Sequence, residues 1–176
     1  NYSVKYPEEL EIIKKMGDLE IKFRPIKASD EDMMRELFYL FSDEAKYLRY
    51  FSRVSTMPHK NMQRYVAVDY DRTLSIVGVL ETGRTQKIIA EARYAGNENN
   101  SACEMAFIVD ENFQGRGIAS FLLEYLIDIA RDRGIKTLVA TVLYENSKMI
   151  KVMKKASIKP EVSVEEGVLI FRYNLY

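Results

Sequence analysis

The chain has 176 residues, with 26 Lys+Arg against 26 Asp+Glu, so its formal net charge is zero. That length suits one domain with a sizeable core and is too short for two. Balanced charge argues against nucleic acid as the main partner, since phosphate backbones need a basic excess or patch, and no apolar run approaches the roughly 20 residues of a membrane span.

With one cysteine, Cys103, and one histidine, His59, the chain cannot build a disulfide framework or a zinc site from Cys and His. No metal is expected. The same scarcity points to a reducing, cytoplasmic compartment. A Ser-His-Asp triad would have to use His59, which lies in Met57-Pro58-His59-Lys60 with no nucleophile signature nearby. Enzymatic chemistry would therefore fall to carboxylates, tyrosines or backbone groups. The first residue is Asn1 rather than Met, so the chain is expected to be a segment of a longer protein, with no secretory signal at its start.

Residues 11–15 and 19–24 flank Met16-Gly17-Asp18 and are expected to form a hairpin, which Pro25 ends. Ser29-Asp30-Glu31-Asp32 is a helix-start signal, with the Ser29 hydroxyl available as a cap and acidic residues at the positive helix end. Met33, Met34, Leu37, Leu40 and Phe41 follow at helical spacing. Ser42-Asp43-Glu44 repeats the signal before Tyr47, Leu48 and Phe51, and Pro58 opens a third short helix ending near Tyr65. Strands are expected at 74–80, 87–94 and 102–109, joined by short turns as an antiparallel meander. The period then changes. Ile118, Phe121, Leu122, Tyr125, Leu126 and Ile129 predict a long amphipathic helix that Gly134 terminates. A strand at 137–143, a helix capped by Asn146, and a hairpin of 162–164 and 168–173 complete the chain. Residues 1–18 read as a lead-in strand and turn, and 19–176 as a single domain.

The segment with chemical content is Asp110-Glu111-Asn112-Phe113-Gln114-Gly115-Arg116-Gly117-Ile118-Ala119, between an apolar strand and the amphipathic helix. A glycine-containing strand-to-helix turn aims several backbone N–H groups at one point, and the helix dipole adds positive potential there. Phosphate binds such a place without a basic side chain. A dinucleotide fingerprint is not met, because Ser120 stands at the third glycine position, and the Gly-Lys-Ser/Thr of a P-loop is missing. The pattern Gln/Arg-x-x-Gly-x-Gly/Ala remains, matched by Gln114, Gly117 and Ala119.

On this loop, the preceding Val109-Asp110 strand exit, the element order and the Asn-capped later helix, the chain resembles the GNAT acyl-CoA-dependent N-acyltransferases over residues 19–176. Phe23-Arg24-Pro25-Ile26, Tyr47-Leu48-Arg49-Tyr50-Phe51, Asp69-Tyr70-Asp71-Arg72 and Ala102-Cys103-Glu104-Met105-Ala106-Phe107 make it most similar to bacterial protein-lysine acetyltransferase domains that modify acyl-CoA synthetases. The resemblance implies an α/β (α+β) fold, a mixed and mostly antiparallel sheet flanked by helices. It implies a V-shaped opening for acetyl-CoA, the cosubstrate, between the strand before the loop and the next strand. It also implies direct acetyl transfer to an amine, with a protein lysine as acceptor, and fusion to an acyl-CoA-handling, nucleotide-binding or regulatory module. A small-molecule amine or amino-acid acetyltransferase and a non-catalytic acetyl-CoA sensor stay open.

Position by position, the resemblance assigns the amides of Gly115, Arg116, Gly117, Ile118, Ala119 and Ser120, with Gln114, to the CoA pyrophosphate. The edge at Phe107, Ile108 and Val109 would pair with the pantetheine arm. The Val109 amide would stabilise the oxyanion, and Asn146 would contact pantetheine or the thiol end. A lysine acceptor, almost wholly protonated at neutral pH, needs a general base. Glu104 occupies the position of the catalytic glutamate, in an apolar strand where burial makes a carboxylate a stronger base. Glu91 is the rival. Lys148, Lys151, Lys154 and Lys155 either attract CoA phosphates or form a solvated helix face. Cys103 reads as a small buried apolar residue. Two positions depart from the family pattern. Met153 stands where many members carry a general-acid Tyr, with Tyr144 nearby at a different motif position, and Ser157-Ile158 replaces the usual Gly-Phe.

Overall fold

A computed structural model describes residues 5–40, 59–96 and 101–176, with backbone alone at 59–61. The expected helix at Ser42-Asp43-Glu44, the Tyr47–Phe51 stretch, the His59 side chain and most of the turn at 96–100 lie outside the described residues. The strands are β1 (Ile12–Met16), β2 (Leu19–Pro25), β3 (Thr73–Thr82), β4 (Thr85–Gly96), β5 (Ala102–Val109), β6 (Thr137–Leu143), β7 (Glu161–Glu165) and β8 (Val168–Asn174). The helices are α1 (Glu31–Leu40), α2 (His59–Val66), α3 (Ile118–Asp132) and α4 (Ser147–Lys154).

All eight strands belong to one sheet in the order β1-β2-β3-β4-β5-β6-β8-β7. Each neighbouring pair is antiparallel except β5–β6, which is parallel. This follows from the connections. Short connections join the meander strands, whereas α3 crosses over between β5 and β6 and brings the chain back in the same direction. The result is the mixed, mostly antiparallel α/β fold expected from the resemblance. The lead-in residues pair as β1 onto the edge of this sheet, from Ile12↔Phe23 to Met16↔Leu19, and the Tyr125 hydroxyl of α3 donates to the Leu10 carbonyl at 2.5 Å.

The sheet is covered on both faces. On one face, α3 and α4 bury Leu122, Leu126, Met105, Tyr94 and Phe171 among others. On the other, Ile26, Leu37, Phe38, Met62, Val77 and Ile108 pack beneath α1 and α2. Double coverage explains why Leu74-Ser75-Ile76-Val77-Gly78-Val79 is buried at every position instead of alternating. A bulge interrupts β4. Gly78 faces Ala90 and Val79 faces Ile88, so Ile89 has no partner on β3. Ile89 and Ala90, though consecutive, consequently enter the same core, opposite to Ile88, and the strand bends beside the end of β5.

The start of α1 differs from expectation. Ala28–Asp30 forms a 3-10 turn, and the capping acid is Asp30 rather than the Ser29 hydroxyl. Asp30 is buried, accepts the Lys27 N–H at 2.8 Å, and takes a two-pronged ion pair from Arg24 of β2 at 2.8 and 2.7 Å. The reason is tertiary. A buried guanidinium requires a fixed anion, and the helix start brings one to it.

Candidate active site

β5 and β6 pair in parallel only from Ala102↔Thr137 to Met105↔Ala140. Beyond that point each strand stays with its other neighbour. β5 follows β4 to Val109↔Ala90, and β6 follows β8 to Leu143↔Val168. The two strands therefore part, leaving an opening between Ala106–Val109 and 141–143. Asp110 donates its N–H to the Ile89 carbonyl of β4 at 2.8 Å. Strand alternation then turns the Val109 N–H the other way, into the opening.

The loop after β5 starts with the Asp110 side chain accepting the Asn112 N–H at 2.9 Å, which tightens Glu111–Phe113 into a 3-10 turn. Gly115 (φ 80°) and Gly117 (φ 84°) both adopt left-handed backbone, where a Cβ is disfavoured. Gly117 is the N-cap of α3. The first-turn amides of α3 have no acceptor within the helix, and they carry the positive end of its dipole. Gly115, Arg116, Gly117 and Ser120 are exposed, Ala119 is half-buried, and Ile118 is buried as the anchor of the helix in the core. This cradle lies at the end of the strand that flanks the opening.

Side chains tie the mouth together. Gln114 donates from Nε2 to the Val109 carbonyl at 3.4 Å, and its Oε1 accepts from Lys148 Nζ of α4 at 3.0 Å. Arg116 pairs with the exposed Asp18 at 3.0 Å. Asn146 caps α4, accepting the Met149 N–H at 3.3 Å. Of the strand residues assigned to pantetheine, Phe107 and Val109 send their side chains into the α3 core, and Ile108 sends its own beneath α1. What they offer the opening is backbone. Lys148 shows a contact that spacing alone did not reveal.

Glu104 lies on the same face of β5 as Ala102, Ala106 and Ile108, as alternation requires, between Ala95 of β4 and Val139 of β6. The expected burial is corrected: Glu104 is exposed. Apolar neighbours in sequence point to both faces of the sheet, and α1 and α2 do not reach over this end. Among the described residues its carboxylate has no hydrogen bond or ion pair.

The rival, Glu91, is the buried one. It is opposite Ile108 and has no exposed surface. Its carboxylate accepts from the Tyr65 hydroxyl at 2.5 Å, the Ser75 hydroxyl at 2.7 Å and Arg93 Nε at 2.6 Å. The Glu91-x-Arg93 spacing, which puts both on one strand face, was the readable sign of this pairing.

Met153 is fully buried in α4, and its carbonyl accepts from the Tyr173 hydroxyl at 2.6 Å. The Ser157 N–H and hydroxyl both bind Glu124 of α3 at 2.7 and 2.5 Å, which secures the turn where the family carries Gly-Phe. Tyr144 is exposed. Cys103 is buried as a free thiol, and desolvation raises its pKa.

The family model for the acetyltransferase (GNAT) family matches residues 29–157. The chain belongs to this family. This GNAT domain is 33% identical over 133 residues to the acetyltransferase Pat of Mycolicibacterium smegmatis, covering 75% of this chain and 39% of that protein. An acetyltransferase of Pseudomonas aeruginosa is 22% identical over 116 residues, 66% of this chain and 62% of that protein. The chain thus spans less than two thirds of these curated relatives. Among solved structures, the GNAT domain of S. lividans PAT superposes with a TM-score of 0.86 at 30% identity, covering 97% of this chain and 99% of that one. Among the described residues, no helix of this GNAT domain is long and apolar enough to cross a membrane.

Proposed function

We propose that this GNAT domain transfers an acetyl group from acetyl-CoA to a protein lysine by direct attack in a ternary complex. The observation that carries the reading is the parting of β5 from β6 after Met105 and Ala140, with the Val109 N–H turned into the gap beside the α3 cradle. A pantetheine arm is an extended amide chain, and an unpaired strand edge suits it. The diphosphate suits the amides of Gly115–Ser120 and the positive end of α3.

In this reading the acceptor nitrogen adds to the thioester carbonyl carbon, and the Val109 N–H holds the oxyanion that forms. The C–S bond then breaks and the sulfur leaves as thiolate. Before the attack one ammonium proton of the acceptor passes to Glu104, and the nitrogen of the tetrahedral adduct gives its second proton to water as the adduct collapses. Five residues of strand separate Glu104 from Val109, about 17 Å at ~3.3 Å per residue, so the proton travels through water on the sheet face above Ala106. With Met153 buried, no side chain is assigned to protonate the thiolate, and solvent serves.

The similarity to the Pat proteins and the residues quoted for the lysine acetyltransferase type support a protein acceptor, of the acyl-CoA synthetase kind. A cytoplasmic setting agrees with the single, reduced Cys103. The test is an acceptor panel of free lysine, polyamines and an acyl-CoA synthetase, with acetyl-CoA as donor and mass spectrometry of the products. Acetylation of the synthetase on lysine is expected. Acetylation of small amines alone overturns the protein acceptor, and absence of acetyl-CoA binding by calorimetry overturns the reading as a whole.

A further inference from the structure

Successive cross-strand pairs on the α1/α2 face of β4–β5 are Glu91↔Ile108, Arg93↔Ala106 and Ala95↔Glu104. Arg93 is therefore the diagonal neighbour of Glu104, at about 7–8 Å, a separation that a long side chain spans. Only the methyl group of Ala106 stands opposite Arg93 on β5. Yet Arg93 points away from Glu104. Its Nε donates to Glu91 Oε2 at 2.6 Å, its Nη2 donates to the Tyr65 carbonyl at 2.7 Å, and its guanidinium lies 3.5 Å from the centre of the Tyr65 ring. Glu91 is in turn fixed by the Tyr65 and Ser75 hydroxyls.

We infer that Glu91 is a positioning residue. With Tyr65 and Ser75 it holds the Arg93 guanidinium away from Glu104, so that Glu104 keeps an unpaired carboxylate able to accept a proton. This rests on the assignment of Glu104 as base in the proposed function. A guanidinium released from Glu91 swings over Ala106 and pairs with Glu104. The pairing favours the anion and weakens the base, and the side chain occupies the face along which water carries the proton. Glu91 itself is buried and takes three donors, which closes it to exchange with an acceptor.

Among the described residues, few other charges face Glu104. Thr137, Val139 and Thr141 of β6 do not titrate in the relevant range. Arg172 of β8 is opposite Val139, a full strand further away. The Tyr65 hydroxyl of α2 is taken up by Glu91, and Arg35 of α1 pairs with Glu31 at 2.7 Å.

The experiment compares Glu91→Gln, Glu91→Gln/Arg93→Gln, Tyr65→Phe and Glu104→Gln in the 176-residue chain. Acetyl-CoA is the donor and an acyl-CoA synthetase the acceptor, and acetyl-CoA affinity by calorimetry serves as the check on folding. In Glu91→Gln, kcat falls about 10- to 100-fold with acetyl-CoA affinity retained. Adding Arg93→Gln recovers most of the rate, a result that a merely structural role for Glu91 does not produce. An unchanged kcat in a Glu91→Gln protein that binds acetyl-CoA, or a double variant no better than the single one, overturns the inference. If Glu91→Gln does not fold, Tyr65→Phe decides. It removes one donor from the same carboxylate, and a smaller loss of kcat is expected, an unchanged kcat being the refutation. Glu104→Gln separates the two claims. A kcat that survives it refutes the base assignment, whereas a kcat lost in Glu104→Gln but unchanged in Glu91→Gln refutes only the positioning role.

Discussion

Replacing Glu104 by Gln tests the chemistry with little structural disturbance. The side chain is exposed on β5, and among the described residues it makes no hydrogen bond or ion pair, so the isosteric change is expected to alter stability by less than about 0.5 kcal/mol. The amide does not accept a proton from an ammonium group, which removes general-base catalysis, worth about 10²–10⁴-fold. The separation of about 17 Å between Glu104 and Val109 means that transfer is relayed by water rather than direct. A relay survives loss of its terminal base better than a direct contact does, so the lower part of the range applies, about 10²- to 10³-fold in kcat, or about 3–4 kcal/mol in the barrier. Steady-state thiol release with acetyl-CoA and a protein acceptor between pH 6 and 9 measures the rate, with calorimetry and thermal melting as controls. The variant should bind acetyl-CoA normally and melt as the parent does. A kcat within about threefold of the parent across that range refutes the reasoning. So does a rate loss that tracks lost affinity or stability.

Four further outcomes follow from the structure. Gly117→Glu forces a side chain into left-handed backbone and sets a carboxylate at the mouth of the α3 cradle; acetyl-CoA affinity should fall by more than about 100-fold in calorimetry. Asp30→Ala leaves the buried Arg24 without its anion, and chemical denaturation should register a loss of about 3–5 kcal/mol. The Glu11 carboxyl is held below its ordinary pKa chiefly by the Tyr6 hydroxyl bond. Its stabilisation is therefore present at neutral pH and lost as pH falls through that lowered value, so the deficit of Tyr6→Phe in denaturant melts should shrink from pH 7 toward pH 3. Burial raises the Cys103 pKa, so native protein should react with thiol reagents at pH 8 only as it unfolds, at a rate that climbs with denaturant.

Most of the element pattern was legible in the chain. The bounds of β5 and β6 match the expected strands, and Asn146 caps α4 as its position before Met149 suggested. The loop at Gln114–Ser120 was legible because left-handed glycines and a following amphipathic helix are local features. Glu104 was placed on the correct strand face by alternation, yet its exposure was misjudged. Exposure depends on how far α1 and α2 extend over the sheet, which no neighbouring residue encodes. Asp30 was counted among the acids of a helix start, when its partner is Arg24 on a different element.

By itself, then, the sequence determined the local content: strands, helices and a phosphate-type turn after Val109. These depend on periodicity and backbone preference, which act over a few residues. The tertiary structure decided where β5 leaves β6, that Glu91 is locked while Glu104 has no partner among the described residues, and that Arg93 turns toward one and away from the other. Each of these outcomes depends on competition among partners from distant segments, and burial and hydrogen-bond saturation in the assembled sheet settle it.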